Sequence, residues 1–372
     1  MTLLQQDDHI HAEADSLRIV IIGLTITSSW GNGHATTYRG LMRELVRAGH
    51  DVLFLEHDKP WYAAHRDLPA PPFGQTVLYQ DVSELQERFA RIVEQAELVI
   101  VGSYVPEGIA VGRWVQQQAR GVKAFYDIDT PVTLARLVAG DCEYLTSELI
   151  PGYDLYLSFT GGPTLERLER EFGSPSAHAL YCSVDPELYF RVPRPQRWNL
   201  GYLGTYSADR QPTLERLLFQ PARAWPEGRF IVAGPQYPAD VDWTNVTYVD
   251  HLPPGEHRGF YNEQRYTLNV TRDDMIRAGH SPSVRLFEAA ACGVPIISDW
   301  WEGLDTIFVP DKEILIANSG DEVLRFLRDI PDAERMKIGQ RAQEVVLSHH
   351  TAVHRARQLE SYYHAAARHA PH

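Results

Sequence analysis

Short apolar segments alternate with helical stretches along most of the chain, and this alternation constrains the fold more than any other feature of the sequence. Leu17–Gly23 (LRIVIIG) is a continuous apolar run that ends in glycine, which is typical of a buried first strand in a parallel sheet. A glycine-containing loop, a helix over about Thr36–Ala48 and a second strand over Asp51–Glu56 follow it. Because a strand, a helix and a parallel strand form a βαβ unit, the sequence predicts an α/β fold with doubly wound sheets.

The alternation occurs in two series, and a segment of different composition separates them. Residues 191–198 (RVPRPQRW) combine prolines with arginines and have no periodicity, so we predict a linker there. The first series continues with strands predicted at Thr76–Tyr79, Leu98–Gly102, Val122–Tyr126, Leu155–Phe159 and His178–Tyr181. The second series has strands predicted at Asn199–Gly204, Arg229–Gly234, Thr247–Asp250, Tyr266–Val270, Val294–Asp299 and Ile314–Ala317. Two Rossmann-like domains are therefore expected.

The two series also set the expected domain boundaries. We predict a first domain over residues 17–190 and a second over 199–345, followed by a C-terminal helical segment over 346–372. From about residue 332 to 368 the pattern is helical throughout, with a break near 348–350. The other helices of the second domain are expected at Pro212–Phe219, His257–Gln264, Ser283–Cys292 and Asp321–Arg328.

The composition argues against several classes of function. Net charge is −14, from 35 basic and 49 acidic side chains, so broad electrostatic binding to nucleic acid or anionic lipid is not expected. Three cysteines (Cys142, Cys182 and Cys292) without C-x-x-C spacing indicate reduced thiols in a cytoplasmic protein and no zinc site. No apolar run has the length of a membrane span, and residues 1–16, a flexible tail in our interpretation, are too polar for a signal peptide.

Residues 279–299 (GHSPSVRLFEAAACGVPIISD) carry the most specific chemistry in the chain. Ser281 and Pro282 predict a helix start, with Ser281 as the N-cap, and the spacing then places Ser281, Arg285 and Glu288 on one helical face. A helix N-terminus attracts anions, an arginine one turn further can hold a phosphate bidentately, and a glutamate can accept hydrogen bonds from a ribose. The pattern favours a nucleotide site; the alternative is that Arg285 and Glu288 simply pair with each other.

This stretch resembles the donor-binding helix of GT-B glycosyltransferases, in which a glutamate and small residues precede G-x-P-[IV]-[IV]. It is most similar to the CgeB-like (spore maturation protein B-like) glycosyltransferase group. The matching residues are Gly279, Ser281, Pro282, Arg285, Phe287, Glu288, Ala289, Ala290, Gly293, Asp299, Trp301, Glu302 and Gly303. The resemblance implies two Rossmann-like domains that face each other across a cleft, a C-terminal helix that returns to the first domain, and a nucleotide-diphosphate sugar as co-substrate.

Two segments of the first domain also follow strands, on the edge where ligands bind to such sheets. The loop over residues 28–34 is rich in glycine, but neither G-x-G-x-x-G nor a P-loop sequence occurs in the chain, which weakens dehydrogenase and P-loop interpretations. We predict that Gly33 approaches the ligand and that His34 contacts the transferred sugar or a phosphate; a helix-capping histidine is the alternative. Asp129, in the segment YDIDTP, is the second catalytic candidate, with capping of the following helix as its alternative.

The second domain supplies the other predicted binding residues. Thr205 and Arg210 follow its first strand, where GT-B proteins place a glycine-rich turn and a basic side chain against the donor diphosphate. Arg272 follows a later strand and would add positive charge near the same group. Many retaining GT-B enzymes carry a second glutamate eight positions before the one that matches Glu288, whereas this chain has His280 there. His280 is predicted to contact the sugar or phosphate, and the stereochemistry of transfer stays open.

The leading hypothesis is a metal-independent glycosyltransferase that uses a nucleotide-diphosphate sugar and no other cofactor. No cluster of histidine and carboxylate residues in the sequence has convincing metal-ligand spacing, and cationic side chains can stabilise the leaving diphosphate instead. A nucleotide-sugar epimerase and a non-catalytic nucleotide-sugar-binding protein are the alternatives. These patterns specify neither the nucleotide, the sugar nor the oligomeric state, and they leave a glycan, a protein and a small molecule open as acceptor.

Overall fold

Two parallel sheets form the framework of the computed structural model, which describes residues 16–30 and 34–368. The strands of the first sheet are β1 (Arg18–Gly23), β2 (Asp51–His57), β3 (Gln75–Tyr79), β4 (Leu98–Gly102), β5 (Val122–Asp127), β6 (Leu155–Ser158) and β7 (Ala177–Ala179). Hydrogen bonding places them in the order β3-β2-β1-β4-β5-β6-β7, and every neighbouring pair is parallel. All strands predicted for the first series are present, with slightly different bounds. The predicted tail, apart from Ser16, lies outside the described residues.

The second sheet repeats this arrangement. Its strands are β8 (Trp198–Leu203), β9 (Phe230–Ala233), β10 (Val246–Val249), β11 (Gln264–Asn269), β12 (Ile296–Ser298) and β13 (Leu315–Ile316). They lie in the order β10-β9-β8-β11-β12-β13, again with parallel neighbours. Each sheet therefore reverses its direction of winding beside its first strand, between β1 and β4 and between β8 and β11. The predicted α/β class with two Rossmann-like domains is confirmed.

Helices cover both faces of the first sheet. They are α1 (His34–Arg47), α2 (Pro60–Ala63), α3 (Val82–Gln95), α4 (Gly108–Gln118), α5 (Thr130–Ala139) and α6 (Pro163–Arg170), with a 3-10 turn at Ser147–Gly152. Ile19 and Ile21 of β1 belong to the core that contains α1, whereas Val20 and Ile22 belong to the core that contains α3 and α4. Burial on both sides explains why the strand reads as a continuous apolar run.

The second domain and the C-terminus contain eight further α-helices among the described residues. They are α7 (Gln211–Leu214), α8 (Gln220–Ala224), α9 (Pro254–Asn262), α10 (Asp273–Ala278), α11 (Val284–Ala291), α12 (Gly320–Asp329), α13 (Asp332–His349) and α14 (Ala352–Ala367). A π turn over Glu215–Phe219 joins α7 to α8. The short helix α10 has no counterpart among the predicted helices. Within residues 16–30 and 34–368, no helix combines the length and apolarity that a membrane span requires.

The start of α11 differs from the prediction. The helix begins at Val284 with Ser283 at the N-cap position, so Ser281 is not its N-cap and Pro282 is not its first residue. The hydroxyl of Ser281 instead shares a hydrogen bond of 2.8 Å with the hydroxyl of Thr160 in the first domain. A contact between domains therefore holds this serine outside the helix, and the prediction failed because that partner is distant in sequence.

The C-terminal helix returns to the first domain, as the resemblance implied. The helical pattern over residues 332–368 forms α13 and α14, which are separated at His350 and Thr351. Thr351 forms a β-bridge with Val184, and α14 then packs on α1 and on strands β5 and β6. The boundary expected at residue 345 falls inside α13, which packs on α11 of the second domain.

A buried arginine anchors α14. Arg355 is 2% exposed, and its guanidinium donates to the carbonyl oxygens of Tyr181 at 2.9 Å, Cys182 at 3.4 Å and His349 at 3.2 Å. It also donates to Nδ1 of His350 at 2.8 Å. One cation thus satisfies the backbone after β7 and at the break between the last two helices, and so links the C-terminus to the first domain.

We predict that Arg355→Met lowers the free energy of unfolding by about 1.5–3 kcal/mol, because charge-assisted hydrogen bonds are lost and buried carbonyl groups are left unpaired. Urea unfolding measures this change. Arg357→Met is the matched control, since Arg357 lies on the same helix with an exposed side chain and should behave as an ordinary surface substitution. Equal unfolding midpoints for the two variants would contradict an anchoring role for Arg355.

Candidate functional site

A cavity of about 300 Å³ lies between the two domains. It is lined by Ile128 and Phe159, which directly follow β5 and β6. Leu203, the last residue of β8, and Gly234, the residue after β9, line it from the other domain. The cavity is therefore at the carboxyl ends of both sheets, where open α/β sheets bind ligands. It brings together five of the predicted site residues, namely His34, Thr205, Arg210, Arg285 and Glu288.

Arg285 is held firmly in the second-domain wall. The residue is 7% exposed; its Nε donates to the carbonyl oxygen of Leu203 at 2.6 Å and its Nη1 to Oδ1 of Asn269 at 2.9 Å. Its guanidinium lies 4.7 Å from the centre of the Tyr202 ring. Nη1 also donates to the carbonyl oxygen of Val270 at 3.5 Å, so a bidentate grip on a phosphate would require Arg285 to give up a protein partner. The side chain can still offer Nη2 and its charge to an anion.

Arg210 places a second cation on the same wall. Its Nη2 donates to the carbonyl oxygen of Thr205 at 2.6 Å, while its Nε is buried without a hydrogen-bond partner. The turn that carries Thr205 lies against the loop after β9, where a Cβ added at Gly234 would meet the carbonyl oxygen of Gly204 at 2.1 Å. Glycine is required there, and the close approach lets main-chain atoms form part of the cavity wall.

Glu288 lies deep in the cavity among hydroxyl groups. It is 5% exposed and accepts a hydrogen bond from the Tyr261 hydroxyl at 3.1 Å, while the nearby Tyr189 hydroxyl shares a hydrogen bond of 3.3 Å with Nδ1 of His257. Burial raises the pKa of Glu288, and the nearby imidazole of His257, at 4.0 Å, opposes this effect. Arg285 donates to the carbonyl of Leu203 and to Asn269 instead, so the pairing with Glu288 that the spacing left open does not form.

His34 opens helix α1 on the first-domain wall. Its imidazole lies near the rings of Tyr104 and Phe159, with both centroid distances at 6.3 Å. Burial, and secondly the positive charge of Arg272, lower the pKa of His34 to about 4, so the ring is neutral at pH 7. A neutral imidazole at this place can accept a proton from a substrate hydroxyl. Gly33, which was predicted to contact the ligand, lies outside the described residues.

Asp129 and Arg272 form an ion pair between the domains, beside the cavity. Nη1 of Arg272 lies 3.3 Å from Oδ2 of Asp129, and Tyr104 donates to the same oxygen at 2.9 Å. Oδ1 of Asp129 and Nε of Arg272 are both buried without a hydrogen-bond partner. Asp129 occupies the N-cap position of α5, but its side chain makes no capping bond. Its second oxygen therefore has no hydrogen-bond partner among the described residues.

The other acid of the YDIDTP segment, Asp127, is used by the fold. It is fully buried and accepts hydrogen bonds from Tyr156 at 2.6 Å, from Thr133 at 2.8 Å and from the backbone N–H of Asp129 at 3.2 Å. Burial raises the pKa of Asp127 to about 6. Of the two neighbouring acids, only Asp129 forms an ion pair with the second domain, because the partners of Asp127 are inside the first domain.

His280 and Ser281 lie at a contact between the domains and do not line the cavity. His280 has φ 45°, and a Cβ added at either Gly162 or Gly303 would come within 2.3 Å of its ring. The backbone N–H of Gly161 donates to the carbonyl oxygen of His280 at 2.9 Å. The position that is a glutamate in many retaining GT-B enzymes is thus filled here by a side chain that packs between two glycines.

Several lining residues were missed by the sequence analysis. Thr37 follows His34 by one turn of α1, is 2% exposed and has a hydroxyl without a hydrogen-bond partner. His251 and His257 belong to the segment after β10, so the rule that ligands bind beyond strand ends would have found them. The same rule does not point to Tyr261, because an aromatic residue within a helix is ordinarily predicted to belong to the core.

Four buried polar atoms in or beside this cavity have no hydrogen-bond partner. Oγ1 of Thr37 and Nε of Arg210 belong to lining residues, while Nε of Arg272 and Oδ1 of Asp129 belong to the ion pair beside the cavity. Leaving such groups unpaired costs free energy, so a ligand that satisfies them would be stabilised here. In the described part of the chain, no group of three or more histidine, cysteine, aspartate or glutamate side chains is arranged to hold a metal ion.

The C-terminal part of the chain resembles a known protein family. Residues 210–361 match the family model described as Glycosyl transferase-like. This span contains Arg210, Arg272, Arg285 and Glu288. No curated protein matches the chain in sequence.

Several solved structures are similar over almost the whole chain. A sucrose-phosphate synthase from Thermosynechococcus elongatus is 15% identical with a TM-score of 0.69, covering 95% of this chain and 100% of that one. HepE from Anabaena, in complex with UDP and glucose, is 12% identical with a TM-score of 0.68 and coverage of 94% and 100%. An α-glucosyltransferase in complex with UDP is 13% identical, with a TM-score of 0.68 and the same coverage. The chain therefore has the two-domain fold of GT-B glycosyltransferases, and its residues 210–361 are similar to the glycosyl transferase-like family.

Proposed function

We propose that the chain is a glycosyltransferase that moves a sugar from a nucleoside-diphosphate sugar to an acceptor hydroxyl. The observation that carries this proposal is the cavity between the domains, where arginines and a buried glutamate on one wall face a neutral histidine on the other. The family match over residues 210–361 includes Arg210, Arg285 and Glu288 and supports it. HepE has been solved with UDP-glucose and the α-glucosyltransferase with UDP, so we take UDP-sugars as the donor class.

In this proposal the donor binds mainly to the second domain. The diphosphate lies against Arg210 and Nη2 of Arg285, and Glu288 accepts hydrogen bonds from the ribose hydroxyls. Negative charge accumulates on the diphosphate as its bond to the sugar breaks. Guanidinium groups that are already fixed by Leu203, Asn269 and the turn after β8 stabilise this charge without reorganising.

A buried acid of the first domain supports this placement. Glu56 is near the end of β2, where dinucleotide-binding folds use an acidic residue to hold a ribose. Its carboxylate instead accepts hydrogen bonds from the backbone of Ile26 at 2.7 Å and of Thr27 at 3.0 Å, and from the Thr27 hydroxyl at 2.6 Å. Because Glu56 is fully committed to the loop after β1, a ribose there would have to displace that loop.

The first-domain wall suits the uncharged parts of the reactants. The described residues that it contributes to the cavity carry no formal charge at pH 7, since His34 is neutral and the pKa of the Cys182 thiol is raised by burial. In the transfer, the acceptor hydroxyl oxygen bonds to the anomeric carbon of the sugar. The bond between that carbon and the diphosphate breaks, the electron pair leaves with the diphosphate, and the hydroxyl proton passes to His34.

Asp129 is proposed to hold a hydroxyl of the transferred sugar. Its Oδ2 is fixed by Tyr104 and Arg272, while its Oδ1 has no hydrogen-bond partner. A sugar hydroxyl that donates to Oδ1 would satisfy this orphaned acceptor and position the ring against His34.

We also propose membership of the CgeB-like group, a hexose or related sugar as the transferred unit, and a cytoplasmic location. The group assignment depends on the matching residues over 279–303. The location fits Cys142, Cys182 and Cys292, which form no disulfide and stay reduced in that compartment.

The first prediction from the proposed function concerns the donor site. Glu288→Ala should weaken UDP binding about tenfold or more, because a hydrogen bond to a charged group contributes about 1.5–3 kcal/mol. Isothermal titration calorimetry measures the affinity, and a thermal melt checks that the variant is folded. Glu256→Ala is the control, since Glu256 is an exposed glutamate of the same domain.

Equal affinities in all three proteins would remove Glu288 from the donor site. Conversion of UDP-glucose to another sugar nucleotide without an acceptor, followed by NMR, would indicate an epimerase instead. Donor binding without transfer or hydrolysis during long incubation would indicate a non-catalytic protein.

The second prediction concerns His34. His34→Ala should reduce sugar transfer or donor hydrolysis by about 10²–10⁴-fold while changing UDP affinity little, because a general base acts on the proton and not on the nucleotide. UDP release and calorimetry provide the two measurements. His364→Ala, at an exposed position of α14, is the control. Loss of UDP binding in folded His34→Ala protein would show that the donor lies largely on the first domain.

The protonation of His34 gives an independent test. An NMR titration should find its imidazole neutral at pH 6, with a pKa near the value of about 4 that burial and Arg272 impose. Arg272→Gln removes a nearby positive charge and should move this pKa upward. An unchanged or lower pKa in that variant would show that Arg272 does not act on His34.

The third prediction is metal independence. Turnover should be the same with and without EDTA, because guanidinium groups stabilise the leaving diphosphate. Measurement of UDP release in both conditions checks this. Activity that is lost in EDTA and restored by Mg²⁺ or Mn²⁺ would contradict the prediction and return Asp127 and Asp129 to consideration as metal ligands.

A further inference from the structure

The linker between the domains concentrates positive charge in a chain whose net charge is −14. Arg191, Arg194 and Arg197 all belong to it. Glu263 pairs with two of them, since its carboxylate oxygens lie 3.1 Å from Arg194 and 3.6 Å from Arg197. Arg191 forms no ion pair with a described residue. Three linker arginines are thus matched by one glutamate, and the linker retains an excess of positive charge. The proposed sugar transfer does not involve these arginines.

Two of these arginines, Arg191 and Arg194, border a small polar cavity of about 90 Å³ between the linker and the second domain. Arg191 and Arg194 line it from the linker, Asn262 and Gln264 from the turn between α9 and β11, and Arg335 from α13. None of its lining residues also lines the cavity between the domains. Its volume is well below the roughly 300–1,000 Å³ of pockets for drug-sized ligands, so it suits a small ion and not a nucleotide.

Arg335 is a buried cation whose carboxylate partner is exposed to solvent. The residue is 4% exposed, and its Nε donates to Asp332 at 3.1 Å, but the Asp332 side chain is 64% exposed. Its other nitrogens donate to the carbonyl oxygen of Arg265 at 3.1 Å and to Oε1 of Gln196 at 3.2 Å, both uncharged groups. A buried charge without a buried partner is costly, and an anion in the adjacent cavity would compensate it.

Gln264 provides an acceptor at the same cavity. The residue is 1% exposed; its Nε2 donates to the carbonyl oxygen of Phe260 at 3.0 Å, whereas its Oε1 is buried without a partner. Asn262 holds the linker backbone at the edge of the cavity. Its Oδ1 accepts a hydrogen bond from the N–H of Val192 at 2.8 Å, and its Nδ2 donates to the carbonyl oxygen of Phe190 at 3.1 Å. A tetrahedral anion with one protonated oxygen matches both the cations and this orphaned acceptor.

We propose that this cavity binds a phosphate group that joins the linker to the second domain. Arg191 and Arg194 supply charge-assisted hydrogen bonds, Arg335 supplies the buried positive charge, and Gln264 accepts from the protonated oxygen. The ligand fastens the linker against α9 and α13 and so opposes rotation at the junction of the domains. The phosphate belongs either to a small free ion or to a phosphorylated lipid head group. This inference does not depend on the proposed sugar transfer.

Inorganic phosphate is the probe for this site. It should raise the melting temperature of the full chain in a concentration-dependent way, by preferential binding to the native state. Arg191→Gln combined with Arg194→Gln should weaken phosphate binding about tenfold or more in calorimetry, because two guanidinium partners are lost. Arg197→Gln is the matched control, since Arg197 lies on the same linker but does not line the cavity. Arg210→Gln controls for phosphate bound in the cleft.

The site is supported if phosphate binding is lost in the double variant and kept in both controls. Phosphate that binds equally to the double variant, or that is lost only in Arg210→Gln, overturns the proposal, as does a wild-type protein that binds no phosphate. Sedimentation with vesicles containing phosphatidylinositol phosphate separates the two sources. Vesicle binding that requires Arg191 and Arg194 assigns the phosphate to a lipid, and its absence alongside phosphate binding assigns it to a free ion.

Discussion

One buried arginine organises the ligand edge of the second domain. Arg285 connects α11 to Leu203 at the end of β8 and to Asn269 at the end of β11. These are the two strands between which the second sheet reverses its winding, so a ligand site opens there. The guanidinium also lies over the Tyr202 ring, and movement would break charge-assisted hydrogen bonds. The same side chain therefore shapes the cavity and gives it positive charge.

The second wall of the site depends on contacts between residues far apart in the chain. Asp129 pairs with Arg272, and Thr160 shares a hydrogen bond with Ser281, so the strand ends of the two sheets face each other at close range. Arg355 adds a third constraint, because it fixes the returning helix α14 to the first domain. The catalytic geometry that we propose, with His34 opposite the donor arginines, exists only while these contacts align the domains.

The buried carboxylates at and around the cavity serve two different purposes. Glu56 and Asp127 accept hydrogen bonds from backbone and hydroxyl groups inside the first domain, which satisfies their oxygens and holds the loops around the cavity. Glu288 lines the cavity, and Asp129 has an unpartnered oxygen beside it. Burial raises the pKa of Asp127, Asp129 and Glu288 alike, so pKa direction does not separate the structural acids from the ligand-binding candidates. The two groups differ instead in where their oxygens lie, either inside the first domain with hydrogen-bond partners or at or beside the cavity.

The sequence by itself determined the two sheets and one side of the site. Runs such as Leu17–Gly23 are apolar because both faces of each strand are covered, and this burial is encoded locally, as is the spacing of Arg285 and Glu288 on one helix. Tertiary structure decided the start of α11, where Ser281 contacts a residue 121 positions away. It also placed His280 between two glycines and brought the buried Thr37 into the cavity wall. Such outcomes depend on which chain segments meet, and no local pattern of residues specifies the partner.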